Sequence, residues 1–153
     1  MSIASVTACV RAISTAVASL PLNLYRKDGV DKNIEKNHIL YKLVHDNPNK
    51  INTSYNWRVQ QMINLLLEGN SYSVIVRDNR GTPVEIIPLV SDNVRVIKYE
   101  EDLFYEVQGV DQPLSSYNVL HVSGLSFGTN GFYLDYLLMV ATVILLFRCM
   151  LRL

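Results

Sequence analysis

The sequence predicts an α+β protein in which N-terminal helices precede an antiparallel β-meander, with an apolar helical tail at the C-terminus. Three observations predict it. Apolar residues recur at spacings of three and four up to Glu68, the period changes to two from Ser71 onward, and no alternation of strand and helix follows that would build a parallel sheet.

Ile3, Val6, Val10, Ile13, Val17 and Leu20 fall on one face of a helix over residues 2–19, which Pro21 stops. Arg11 lies in the middle of this run and no basic residue precedes it, so Ala16-Val17-Ala18 does not read as the cleavage site of a secretory signal. Leu22–Arg26 alternates and ends at Asp28-Gly29, a strand and turn at a hairpin edge. Ile39, Leu40, Leu43 and Val44 predict a short helix from His38 to His45, ending before Asn47-Pro48. Thr53 or Ser54 caps the next helix, whose stripe of Tyr55, Val59, Met62, Ile63, Leu66 and Leu67 ends at Gly69-Asn70, with Trp57 as an anchor beside it. Ser71–Arg77 and Val84–Leu89 flank the turn Asp78-Asn79-Arg80-Gly81, and further strands are expected around Val94–Tyr99, Leu103–Val107 and Val119–Val122. The expected core includes Val10, Ile13, Val17, Leu43, Trp57, Ile63, Leu66, Tyr72, Val74, Ile86 and Val96.

At 153 residues the chain has room for one principal module, placed at 1–126, and a divergent tail at 127–153. Fourteen basic residues balance fourteen acidic ones, which excludes a chain that holds nucleic acid by overall charge. The mean hydropathy of +0.14 is concentrated in Tyr136–Phe147, which has no charge. That run is shorter than the ~20 residues a spanning helix needs, and extending it to 132–153 takes in Asp135, Arg148 and Arg152.

Chemistry-bearing patterns are absent, and no catalytic, cofactor-binding or metal-ligating residue is assigned. Gly124–Gly128 lacks the lysine of a phosphate loop, and Gly128–Gly131 lacks the further glycine of a dinucleotide fingerprint. His38, His45 and His121 are scattered and read as solvent-facing or capping residues, with His121 on the polar face of its strand. Cys9 and Cys149 sit in apolar runs and read as small hydrophobes. Glu100-Glu101-Asp102 is contiguous where a metal loop alternates its ligands, so it reads as a solvated turn. Arg77, Arg80, Arg95 and Lys98 are interleaved with Asp78, Glu85 and Asp92, and make a weak nucleic-acid patch. No serine sits in a nucleophile elbow.

Four blocks in order carry a resemblance. They are Ala8–Ser14 continuing through Ala18-Ser19-Leu20-Pro21-Leu22-Asn23-Leu24-Tyr25-Arg26; His38-Ile39-Leu40-Tyr41 through Asn47-Pro48-Asn49; Gly69-Asn70-Ser71-Tyr72 with the following Arg77–Gly81; and Val119-Leu120-His121-Val122-Ser123-Gly124-Leu125-Ser126. Together they resemble the N-terminal wing region of tailed-bacteriophage portal proteins. The resemblance implies a structural subunit of the head–tail connector, assembled as a dodecameric ring at the portal vertex of the virion. Its implied partners are a terminase, capsid and head–tail adaptor proteins, and phage DNA passing through a channel that other parts of the family's chain supply. It implies no enzyme activity and no cofactor.

After Gly131 the expected family character gives way to the apolar tail, a pattern that a reading-frame shift would leave. The expectation is therefore a truncated portal fragment or prophage remnant, found in the virion or the bacterial host cytoplasm, whose residues 132–153 govern its solution behaviour. The alternatives are a small tail-anchored membrane protein held by 132–153 and another kind of interaction module.

Overall fold

The structure is a computed structural model that describes residues 3–29, 31–100 and 102–124. In chain order its elements are α1 (Ile3–Ser19), β1 (Tyr25–Asp28), β2 (Asp31–Ile34), α2 (Ile39–Tyr41) running into a π-turn (Lys42–Asp46), α3 (Ser54–Glu68), β3 (Asn70–Arg77), β4 (Pro83–Pro88), β5 (Val94–Tyr99), β6 (Asp102–Val107), β7 (Leu114–Ser115) and β8 (Val119–Ser123). The fold class is α+β with antiparallel pairing, as expected. The helical tail falls outside the described residues.

The chain divides into two compact units, one comprising 1–63 with 73–88 and the other 64–72 with 89–153. In the first unit, Leu24, Leu40, Leu43, Val44, Trp57, Met62, Ile75 and Ile86 are buried. The Trp57 indole N–H donates to the hydroxyl of fully buried Ser73 at 3.1 Å, so its polar atom is satisfied as its ring is buried. Pro48 and Asn49 are tied to β4: the Ile86 N–H donates to the Pro48 carbonyl at 2.7 Å, and the Asn49 amide donates to the Ile86 carbonyl at 2.8 Å. Strands β3 and β4 form the expected hairpin, with Asp78 accepting from the backbone N–H groups of Arg80 and Thr82 across its turn.

In the second unit a three-stranded sheet of order β5-β6-β7 contributes Tyr105 to a cluster with Tyr72 and Val119, against which Leu89, Val94 and Leu114 pack. Strand β8 lies beside β3 rather than continuing from β7, so the predicted meander is split and its last strand returns to the first. The two-residue β7 and the all-exposed β2 carry too little apolar pattern to announce themselves.

Several expected faces are rotated. On α1 the buried residues are Ser14 and Ala18; Val10 and Val17 are only half-buried, and Ile13 is 46% exposed. On α3 the buried side is Trp57, Gln61, Met62 and Leu65, which leaves Ile63 and Leu66 half-buried and Tyr55 and Leu67 exposed. A helix with apolar residues around more than half its circumference has a period but no unique inward side, and small residues took the close contact on α1. Val96, expected in the core, is 39% exposed on β5. The predicted helix over His38–His45 is a single α-turn followed by the wider π-turn, with His38 as its N-cap accepting from Leu40 N–H at 3.2 Å.

Candidate assembly surface

The described residues contain no cluster of three or more potential metal ligands, and the sequence-flagged residues do not converge. His38 caps α2, and His45 stacks on Tyr41 at 4.6 Å and lies 2.8 Å from Asp46. Arg77 is held in the β3–β4 turn by a bond to the Gly81 carbonyl at 3.0 Å, and Arg95 stands opposite Glu106 in the β5–β6 register. Cys9 is exposed on α1, contrary to the expected buried hydrophobe, because α1 presents most of its first two turns outward. Cys149, Gly128 and Gly131 lie outside the described residues.

His121 is the clearest departure from expectation. It is not solvent-facing but half-buried, stacked on Tyr72 at 4.5 Å and edge-on to Tyr105 at 5.7 Å. The Tyr105 hydroxyl donates to its Nδ1 at 3.2 Å, and its Nε2–H donates to the Asn70 side-chain oxygen at 3.0 Å. Burial lowers the imidazole pKa from the usual 6.5 and so favours the neutral ring, whose proton on Nε2 then serves Asn70 and leaves Nδ1 to accept from Tyr105. Burial likewise raises the phenol pKa of Tyr72 and of Tyr105, the latter also through the neighbouring Tyr72, so both hydroxyls keep their protons. Sequence alternation put His121 on the polar face of β8, whereas the ring packs into the Tyr72–Tyr105 cluster, and it could not show that Asn70, 51 positions away, lies across from it. With every polar atom of the ring engaged, the arrangement does structural work and offers no free base to a substrate.

Beside this network the chain passes itself closely. Gly69, in the left-handed region at φ 74°, ends α3, and its carbonyl accepts from the Gly124 N–H at 2.8 Å. A Cβ at position 124 would stand 2.9 Å from that oxygen, so the Gly69 and Gly124 blocks singled out in the sequence are two sides of one contact.

The outward surfaces are where the molecule offers contacts. Along α1, Val6, Cys9, Ile13, Ala16 and Leu20 are all exposed at spacings of three and four. The β1–β2 hairpin is exposed on both strands where described, with Tyr25 paired to Ile34 and Lys27 paired to Lys32. Sequence analysis expected Val10, Ile13 and Val17 in the core rather than an exposed stripe that includes Cys9 and Ala16, and it missed the second surface, because β2 reads as polar coil until its register is known.

The sequence model described as phage portal protein matches residues 4–141, which extends the family-like stretch beyond Gly131. The chain is 28% identical over 131 residues to the portal protein of Enterobacteria phage HK97, covering 83% of this chain and 31% of that protein. Among solved structures, the neck of an empty gene transfer agent particle gives a TM-score of 0.60 at 22% identity, covering 92% of this chain and 37% of that one. A portal protein of the HK97 family from Corynebacterium diphtheriae gives 0.50 at 16% identity over 90% of this chain and 40% of that one. These two likenesses concern the fold, and the chain spans about a third of the length of the relatives it matches. On the strength of the family match over most of its length, the chain belongs to the phage portal protein family.

Proposed function

We propose that this chain forms part of the wing of a ring-shaped head–tail connector in a phage or phage-like particle, with an assembly role and no catalysis. The family match over residues 4–141 carries the reading. The fold likeness to the neck of a gene transfer agent particle supports it, since related neck particles were computed with twelve-fold symmetry. Two exposed surfaces free of catalytic constellations, the α1 stripe and the β1–β2 hairpin, suit a subunit whose work is to pack against neighbours. On this reading the implied partners are further copies of the chain, a terminase, capsid and adaptor proteins, and DNA in the channel of the assembled ring. The location is the portal vertex of the virion.

Native mass spectrometry and negative-stain microscopy of the purified chain test the proposal. Closed rings with a single dominant copy number are the expected result. A chain that stays monomeric over the full accessible concentration range, with its secondary structure intact, overturns it.

A further inference from the structure

Strand β5 is an open sheet edge. In the order β5-β6-β7 only one of its sides is paired. The Gln108 N–H donates to the Asn93 carbonyl at 2.9 Å, which sets the alternation along the pair: Arg95, Ile97 and Tyr99 turn their backbone groups toward β6, and Val94, Val96 and Lys98 turn theirs away from it. The Val94 N–H is taken by the Ser91 carbonyl. The Val94 carbonyl and both backbone groups of Val96 and of Lys98 have no partner among the described residues.

Edge strands are ordinarily blunted by proline, a bulge or brevity, because a row of free donors and acceptors invites another strand. Two other edges carry such devices. β4 begins and ends at Pro83 and Pro88, has a register shift opposite Val76 and Arg77, and is covered at Ile86 by Pro48 and Asn49. β7 has two residues and follows Pro113. β5 contains no proline and pairs with β6 through six consecutive positions without a bulge. Its side chains are uncovered as well: Val96 is 39% exposed while Tyr105, directly across from it, is 3% exposed, and Tyr99 is also exposed. The covered part of this sheet therefore stops between β6 and β5.

We infer that β5 pairs antiparallel with β5 of a second copy of this chain, about a two-fold axis at Val96. Length and charge select the occupant. Strands β1, β2, β7 and β8 are all shorter than β5, and the edge strand that equals it at six residues, β4, is guarded. With Val96 against the partner's Val96, Val94 meets the partner's Lys98 and Arg95 meets the partner's Ile97, so neither basic residue stands directly opposite another. Arg95 also keeps Glu106 across from it within its own subunit. The same register pairs the outward groups of the two Val96 residues with each other and the Val94 carbonyl with the N–H of the partner's Lys98, and it covers two exposed valines at its centre. The product is a six-stranded sheet, β7-β6-β5 continued by β5-β6-β7 of the partner, an ordinary size for a sheet. Such an isologous contact closes on itself, so it joins copies in pairs and goes beyond the ring reading.

The test is disulfide trapping in the full chain carrying Cys9→Ser and Cys149→Ser, so that every thiol is an introduced one. In the proposed register the Cα atoms of the two residues at position 96 lie about 5.5 Å apart, within disulfide range. Position 94 lies as close to the partner's position 98 but roughly 13 Å or more from the partner's position 94, which is out of range. Under a mild oxidant, oxidised glutathione, Val96→Cys is expected to give a covalent dimer. Val94→Cys and Lys98→Cys are each expected to give none alone and to cross-link to each other when mixed. Sedimentation velocity compares the parent with Val96→Lys, which sets two like charges at the axis, and with Val96→Pro, which removes an N–H that β6 does not use. Each is expected to weaken pairing at least about tenfold, and circular dichroism checks that every variant is folded. No dimer from Val96→Cys, equal cross-linking by Val94→Cys alone, or parent-like pairing by both folded axis variants overturns the contact. Closed rings with no trap at position 96 overturn the contact and leave the ring reading standing. Trapped pairs from a chain that forms no ring support the contact and refute the ring reading.

Discussion

Replacing His121 by alanine should cost the chain about 3 kcal/mol, from three losses that the structure makes separable. The hydrogen bonds from the Tyr105 hydroxyl at 3.2 Å and to Asn70 at 3.0 Å each contribute about 1 kcal/mol net, and the stacking contact with Tyr72 adds about 1 more. The vacancy is not free to fill with water from all sides, because Tyr72 and Tyr105 are only 5% and 3% exposed, so the Tyr105 hydroxyl bears most of the lost partnership. Urea unfolding of the full chain followed by fluorescence gives the difference. Combining His121→Ala with Tyr105→Phe isolates the hydroxyl–imidazole bond, for which a coupling of about 1 kcal/mol is expected. The same network sets a pH dependence. The folded-state pKa of His121 lies below its unfolded value of 6.5, so the unfolded chain binds the proton first as pH falls. The contribution of His121 is therefore fully present above pH 6.5 and is lost as pH drops from there through the folded pKa. In the alanine variant that loss should vanish. A variant with unchanged midpoint, or a coupling indistinguishable from zero, refutes the network as a source of stability.

Two further outcomes follow from close packing. Gly124→Ala should destabilise by about 2 kcal/mol, since its methyl group would sit 2.9 Å from a backbone oxygen that cannot rotate away and 3.3 Å from Leu65 Cδ1; a thermal melt within 1 °C of the parent would contradict this. Ser14→Ala should be neutral or stabilising by up to about 1 kcal/mol, because the Ser14 hydroxyl is fully buried on α1 and finds no partner among the described residues, and a fall in melting temperature would show a partner.

The elements that could be read from the sequence are those whose signals are local. Thr53 accepts from the Asn56 N–H at the start of α3, Gly69 closes its end, and the Asp78 turn joins β3 to β4, each within four residues of where its chemistry acts. What stayed hidden depends on partners distant in sequence. The period of α1 defines a stripe but not which neighbour covers it, so Ile13 was expected inside while Ser14 and Ala18 are the residues in contact. His121 needs Asn70 and Tyr105, and Lys27 needs Lys32, before either position has meaning. The family was legible as an ordered set of blocks, and in the structure these fall on α1 and the start of β1, on the α2 cap, and on the close approach of Gly69 and Gly124.

The path of the chain between the two units has a consequence for how they can be made and separated. Residues 64–72 leave the first unit in the middle of α3 and of β3, and 73–88 return to complete it. No single cut of the backbone therefore yields both units whole: a break anywhere in 64–88 removes a piece from each. During synthesis the first unit is complete only after Pro88 has emerged, by which time the opening segment of the second has already been laid down within the same helix and strand. Limited proteolysis should accordingly convert intact chain to small fragments without a persistent half-molecule cut in this region, and the hairpin of β3 and β4 is the last part the first unit acquires.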